Sequence, residues 1–149
     1  MALFDAVPTV ARFRLMSPKP AAFEAIPDDT IALFLDQASG ELQSALGDRG
    51  ELPVLQWDAS CDGAARALAA RGLMGMRGYN RQAGADEEIV KLAERADDFL
   101  DRCRPGAGGA NGKRENPRVV FTSGDVIDAP RVTSHARSDW WTNPRRCCR

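Results

Sequence analysis

A chain of 149 residues, with 28% charged and 44% hydrophobic side chains, fits one globular domain plus an appendage. No apolar run approaches the about 18 residues of a membrane span. Met1-Ala2-Leu3-Phe4-Asp5 lacks the basic start and apolar stretch of a signal peptide, so synthesis in the cytoplasm is expected. The net charge of −1 hides an asymmetry: residues 1–112 carry 12 basic and 17 acidic side chains, whereas residues 113–149 carry 8 and 4. Opposite-sign halves suit a protein that docks its arm on an acidic surface, whether nucleic acid, another protein or the body of an identical subunit.

Thr9 is placed to cap a short helix from Val10 to about Met16. Ser17-Pro18-Lys19-Pro20 ends it, because two prolines so close forbid one continuous helix. Pro27-Asp28-Asp29 signals the next start, with a carboxylate expected at the N-cap. Ile31, Phe34, Leu35, Ala38, Leu42, Ala45 and Leu46 recur in steps of three and four, which predicts one apolar stripe up to Gly47. After a loop at Asp48–Pro53, an alanine-rich helix is expected from Ser60 to Met76. Its glycines are tolerable where a neighbouring helix approaches closely. Asp86-Glu87-Glu88 opens a last helix, whose Ile89, Leu92, Ala93, Ala96, Phe99, Leu100 and Cys103 share a face. Glu87 with Lys91, and Asp98 with Arg102, have the spacing and order of helix-supporting ion pairs.

The expected fold is mainly α: a small bundle of three main helices and one or two short ones, with an extended C-terminal arm containing a short strand. Residues 1–104 read as the helical domain. Residues 105–112, rich in glycine, read as a hinge, and residues 113–149 as the docking arm. Within the arm, Arg118-Val119-Val120-Phe121-Thr122 has strand composition, Ser123-Gly124-Asp125 is a turn signal, and Val126-Ile127 can pair back.

Chemistry is hard to place. His135 is the only imidazole and sits in the arm, away from any rigid orienting shell, so no catalytic residue is expected. Cys61, Cys103, Cys147 and Cys148 show no CxxC pairing, and no metal or cofactor site is expected. Cys61 and Cys103 fall on apolar helix faces, as buried thiols do. The glycine stretch carries no lysine and follows a helix rather than a strand, so it is not a phosphate loop. The arm's arginines could contact phosphates while its tryptophans stack on bases, which makes a small nucleic-acid-binding regulator the alternative function. Eight basic side chains beside four acidic ones is a sparse density for that role. Tryptophan and arginine are also the residue types most enriched at protein hot spots.

The order of these features carries a resemblance. Phe23-Glu24-Ala25-Ile26-Pro27-Asp28-Asp29-Thr30-Ile31 is followed by Leu35, Ala38 and Leu42. A Leu52-Pro53 loop precedes an alanine-rich helix ending Arg77-Gly78-Tyr79-Asn80, and then an acidic-start helix contains Leu92, Ala93 and Phe99. Over residues 10–104 this resembles the neck adaptors of tailed bacteriophages, the head-completion or head–tail connector proteins of the Mu-like group. Ala129-Pro130-Arg131-Val132 and the tryptophan-bearing stretch look like that group's tail. The cysteine-bearing end departs from it.

The resemblance implies a structural virion protein of the neck, between capsid and tail, with no catalytic residue. It implies a ring, typically twelve-fold, under the portal protein, made by contacts between neighbouring adaptor subunits. A tail-side neck or tail-terminator protein would dock on the ring, and packaged DNA would pass through its lumen without sequence-specific contact. Phe121, Arg131, Trp140, Trp141, Arg145 and Arg146 are then the expected portal- or partner-binding residues.

Overall fold

The computed structural model describes residues 2–17, 20–78, 84–104, 116–122 and 126–127. Among them the fold is mainly helical with a small antiparallel sheet, in the order β1 (Phe4–Asp5), α1 (Val10–Met16), a 3₁₀ turn (Pro20–Phe23), α2 (Asp28–Leu46), β2 (Val54–Trp57), α3 (Ala59–Arg77), α4 (Ala85–Cys103), β3 (Val119–Phe121) and β4 (Val126–Ile127). The three long helices, the short first helix and the strand at Val119–Phe121 agree with the sequence reading. β1 and β2 are additional elements that the sequence pattern did not show.

The helices start and stop for local reasons. The Thr9 hydroxyl accepts the Arg12 N–H and begins α1, which Ser17 closes. α2 starts differently from expectation. Its N-cap is Pro27, with no side-chain capping bond, and Asp28 lies in the first turn. There it pairs with Arg14, whose guanidinium also donates to the carbonyls of Phe23 and Ile26. Asp28 therefore staples α1 to the segment entering α2, and its charge still complements the helix dipole. Asp58 caps α3, which starts at Ala59, one residue ahead of the expected Ser60. Gly78, at φ +92°, ends α3 in a backbone conformation that L side chains rarely adopt.

α3 is the middle helix, packed against α2 on one side and α4 on the other. Buried Ala64, Ala65, Ala69 and Ala70 keep its sides thin, so both neighbours come close. Gly72 extends this: a Cβ there would fall 2.5 Å from the Phe34 ring. Ile31, Leu35, Leu42 and Leu46 of α2, with Leu73 of α3 and Ile89 of α4, are fully buried. Each contributes about 1.5–3 kcal/mol relative to its exposed state. Phe13 and Phe23 close one end, their ring centroids 5.4 Å apart.

The sheet has the strand order β1-β2-β3-β4, antiparallel throughout, with Trp57 opposite Val119 and Val54 opposite Phe121. Strand alternation alone would send Val54 and Trp57 to opposite faces. A register irregularity between Val54 and Gln56 turns both inward, and both are buried while Leu55 and Gln56 are exposed.

Candidate functional site

The root of the arm is built into the helical body. Val119 and Phe121 are fully buried in the same core as the helices. Phe121 lies against Gly50, in the loop after α2, so closely that a Cβ on that glycine would come within 2.6 Å of the ring. Arg49, beside it, donates to the Cys103 carbonyl at 3.2 Å and ties the same loop to the end of α4. On the far side, the Thr122 hydroxyl donates to the Pro53 carbonyl at 2.7 Å.

Asp58 does two jobs at this root. One carboxylate oxygen accepts the N–H groups of Ser60 at 3.0 Å and Cys61 at 3.1 Å, which caps α3. The other accepts the Arg118 N–H at 3.0 Å. The Asp58 N–H in turn donates to the Arg118 carbonyl at 3.0 Å. A single side chain thus joins the dipole of the central helix to the backbone of the arm.

A second polar cluster lies beside α1. Asp62, 1% exposed at its side chain, is paired with Arg12 at 3.1 Å and Arg66 at 3.0 Å. The Arg12 guanidinium carbon stands 3.7 Å from the centre of the Phe4 ring, a cation–π contact that binds β1 to the cluster. Arg66 also reaches the Met16 carbonyl. The three elements α1, α3 and β1 are held by one buried carboxylate. At the other end of α3, Arg77 pairs with buried Asp86 at the start of α4.

Cys61 and Cys103 are buried and in no disulfide, as the apolar faces implied. Burial pushes the Cys61 thiol well above its ordinary range, and the Asp58 carboxylate adds to the shift, so this thiol is held neutral. Among the described residues, no three His, Cys, Asp or Glu side chains converge as metal ligands would, and no helix is long and apolar enough to cross a membrane.

Grooves are open on the surface of the described residues, two of them beside α3. One, of about 250 Å³, lies among Phe13, Met16, Ala67, Ala70, Ile89 and Leu92. The other, of about 170 Å³, runs between α2 and α3 over Phe34, Ala38, Leu68 and Gly72, with Gln37, Glu41 and Arg71 on its rim.

Of the expected partner-binding residues, Phe121 is placed by the structure and the expectation is corrected for it. Its ring is inside the core at 0% exposure, so it anchors the arm to its own body rather than to a partner. Arg131, Trp140, Trp141, Arg145 and Arg146 lie outside the described residues, as do His135, Tyr79, Cys147, Cys148 and the stretch 105–112. Sequence reasoning missed Gly50, Asp58 and Trp57, each of which matters through a partner far along the chain. No protein-family model, curated protein or solved structure matches this chain. The assignment of a role therefore stands on the residues and their geometry.

Proposed function

We propose that this protein is a bacteriophage neck adaptor: a structural subunit that forms a ring between portal and tail, prolongs the DNA channel and joins head to tail. The observation that carries the reading is the rigid root of the arm. A connector must pass mechanical load from its gripping element to its body. Here β3 is hydrogen-bonded into the sheet, its backbone is clamped by Asp58, and Phe121 is locked over Gly50. Force on the segment beyond Ile127 is delivered to the middle of the helical body.

In this reading residues 128–149, with Arg131, Trp140, Trp141, Arg145 and Arg146, grip the portal or an adjacent adaptor. The tryptophans supply apolar area and the arginines a polar rim. The acidic body, net −5 over residues 1–112, allows DNA to pass through the ring without adhering. The residues resembling phage neck adaptors, 10–104, include the α1, α2, α3 and α4 framework that supports this root.

The test is assembly. Chain ending after Ile127, which keeps β3 and β4, is mixed with portal-bearing heads beside the full chain. The full chain is expected to join the heads as a twelve-fold ring visible by low-resolution imaging, and the shortened chain to stay in solution. Equal attachment of the two overturns the role of the arm. Failure of the full chain to join any portal-bearing head overturns the neck role.

A further inference from the structure

α1 packs chiefly against α2 and the 3₁₀ turn. Between its last turn and the α3–α4 pair lies the groove of about 250 Å³. On the α3 side the space comes from small residues: Gly63, Ala67 and Ala70 recur in steps of four and three, on one face. A Cβ on Gly63 would meet nothing within 4 Å, so the groove is open beside it. Phe13, Ala70 and Ile89 give it a buried apolar floor.

Two polar side chains line this otherwise apolar space. The Ser17 hydroxyl is buried and has no hydrogen-bond partner, because α1 is closed by the Ser17 N–H, which donates to the Phe13 carbonyl at 2.9 Å. A buried hydroxyl is unfavourable until something supplies its partner. Arg66 donates through Nε to Asp62 at 3.0 Å and through Nη1 to the Met16 carbonyl at 3.4 Å. Among the described residues its Nη2 has no acceptor. Arg12 and Arg66 share the Asp62 carboxylate, so this cluster holds one positive charge in excess. Arg66 is also the one charged side chain among the described residues that line the groove. The site thus offers an apolar bed with a cation and an unpaired hydroxyl, and no carboxylate lines it.

We propose that this groove binds a small apolar acid, a body of about ten carbon atoms carrying a single carboxylate. An apolar cavity of about 150 Å³ accepts benzene, so about 250 Å³ suits two fused rings or an acyl chain of like size. The body lies along Gly63, Ala67 and Ile89. The carboxylate accepts from Arg66 Nη2, a charge-assisted bond, and from the Ser17 hydroxyl, which gains the partner it lacks. Such a ligand touches α1, α3 and α4 together and adds an apolar joint beside the polar one at Asp62. The arm takes no part in the site, so the proposal is independent of the neck reading.

Three probes with one body and different heads test it: naphthoic acid, naphthylmethanol and naphthylmethylamine, substituted at the same ring position. Each is titrated into the full-length protein and followed by calorimetry and by amide chemical shifts. The acid is expected to bind at least about ten-fold tighter than the alcohol, with the amine weaker still, and to shift the amides of Gly63, Ala67 and Leu92. Arg66→Met should lower the acid to the level of the alcohol, and Ser17→Ala should weaken the acid about five-fold. Ala67→Phe fills the groove and should remove binding of the acid. Gly63→Leu fills it from a position where the added side chain enters open space, and serves should Ala67→Phe fail to fold.

Absence of naphthoic acid binding at millimolar concentration overturns the proposal. So does equal affinity for the three heads, which is apolar adsorption alone. Binding of the acid that survives both Ala67→Phe and Gly63→Leu places it elsewhere on the protein and overturns the proposal as well.

Discussion

Asp58 offers the sharpest test of how the arm is tied to the body. Asp58→Ala removes the cap of α3, a loss of about 1–2 kcal/mol. It also strips the Arg118 N–H of its acceptor, and a donor left unsatisfied at a part-buried site costs about 1–3 kcal/mol. The two losses together come to about 2–5 kcal/mol. Asp58→Asn separates them, because an asparagine oxygen still caps the helix while its amide group cannot accept the Arg118 N–H. It is expected to cost about 1–2 kcal/mol. Urea unfolding followed by circular dichroism reads the difference. With a slope of about 2 kcal/mol per molar, the midpoint should fall by about 1.5 M for alanine and by about half that for asparagine. If asparagine matches the unaltered protein and alanine costs no more than a cap, the clamp on the arm contributes nothing and the load-path argument fails.

Chain ending after Gly112 loses Val119 and Phe121 from the core, so its urea midpoint should drop by more than 1 M, at about 3–5 kcal/mol for the phenylalanine alone; chain ending after Ile127 should keep the full-length midpoint. Gly50→Ala drives a methyl into the Phe121 ring and should cost about 1–3 kcal/mol. Gly75→Ala, where a Cβ meets nothing within 4 Å on an exposed helical position, should instead stabilise by about 0.5–1 kcal/mol in the same assay. Asp62→Ala leaves Arg12 and Arg66 without their shared carboxylate and should cost about 3 kcal/mol. The raised Cys61 thiol predicts a stability loss at alkaline pH. Its folded form stays neutral while the unfolded thiol ionises above its ordinary value of 9.0, so the contribution is complete below that pH and falls as pH rises past it. Cys61→Ala should flatten this part of the profile, measured as urea midpoint against pH.

The helices were legible because their information is local. Ile31, Leu35, Ala38 and Leu42 repeat at helical spacing, Thr9 caps from within its own turn, and Pro18 and Pro20 interrupt without reference to anything distant. Of the sheet, the Val119–Phe121 strand and its return at Val126-Ile127 were legible from composition and the turn between them, whereas β1 and β2 were not, because they run two to four residues and owe their existence to partners elsewhere. Val54 and Trp57 do not alternate as a half-buried strand should, since the bulge between them hides the period. Phe121 looked like an exposed anchor for the same reason. Its burial depends on Gly50, about seventy positions earlier, and no window of sequence contains both. The acidic pair Asp28-Asp29 shows the limit of composition: it marked the helix start correctly, yet the cap went to Pro27 because Arg14 competes for the Asp28 carboxylate. For the site, charge and aromatic content pointed to the arm, whereas the α2–α3 groove became visible only when two helices were set side by side.

The place of β3 in the sheet has a consequence during synthesis. The strand that completes the core comes from residues 119–121, after α1 to α4 have already been made. A nascent chain that has emerged as far as Cys103 has its helices but leaves Trp57, Val54 and the Gly50 loop without the strand that covers them. At about 5–20 residues per second, the remaining stretch follows within seconds. Until it arrives the body is an open-sided intermediate. A chain that ends before residue 119 therefore leaves part of its own core uncovered, and only products that carry at least the base of the arm close it.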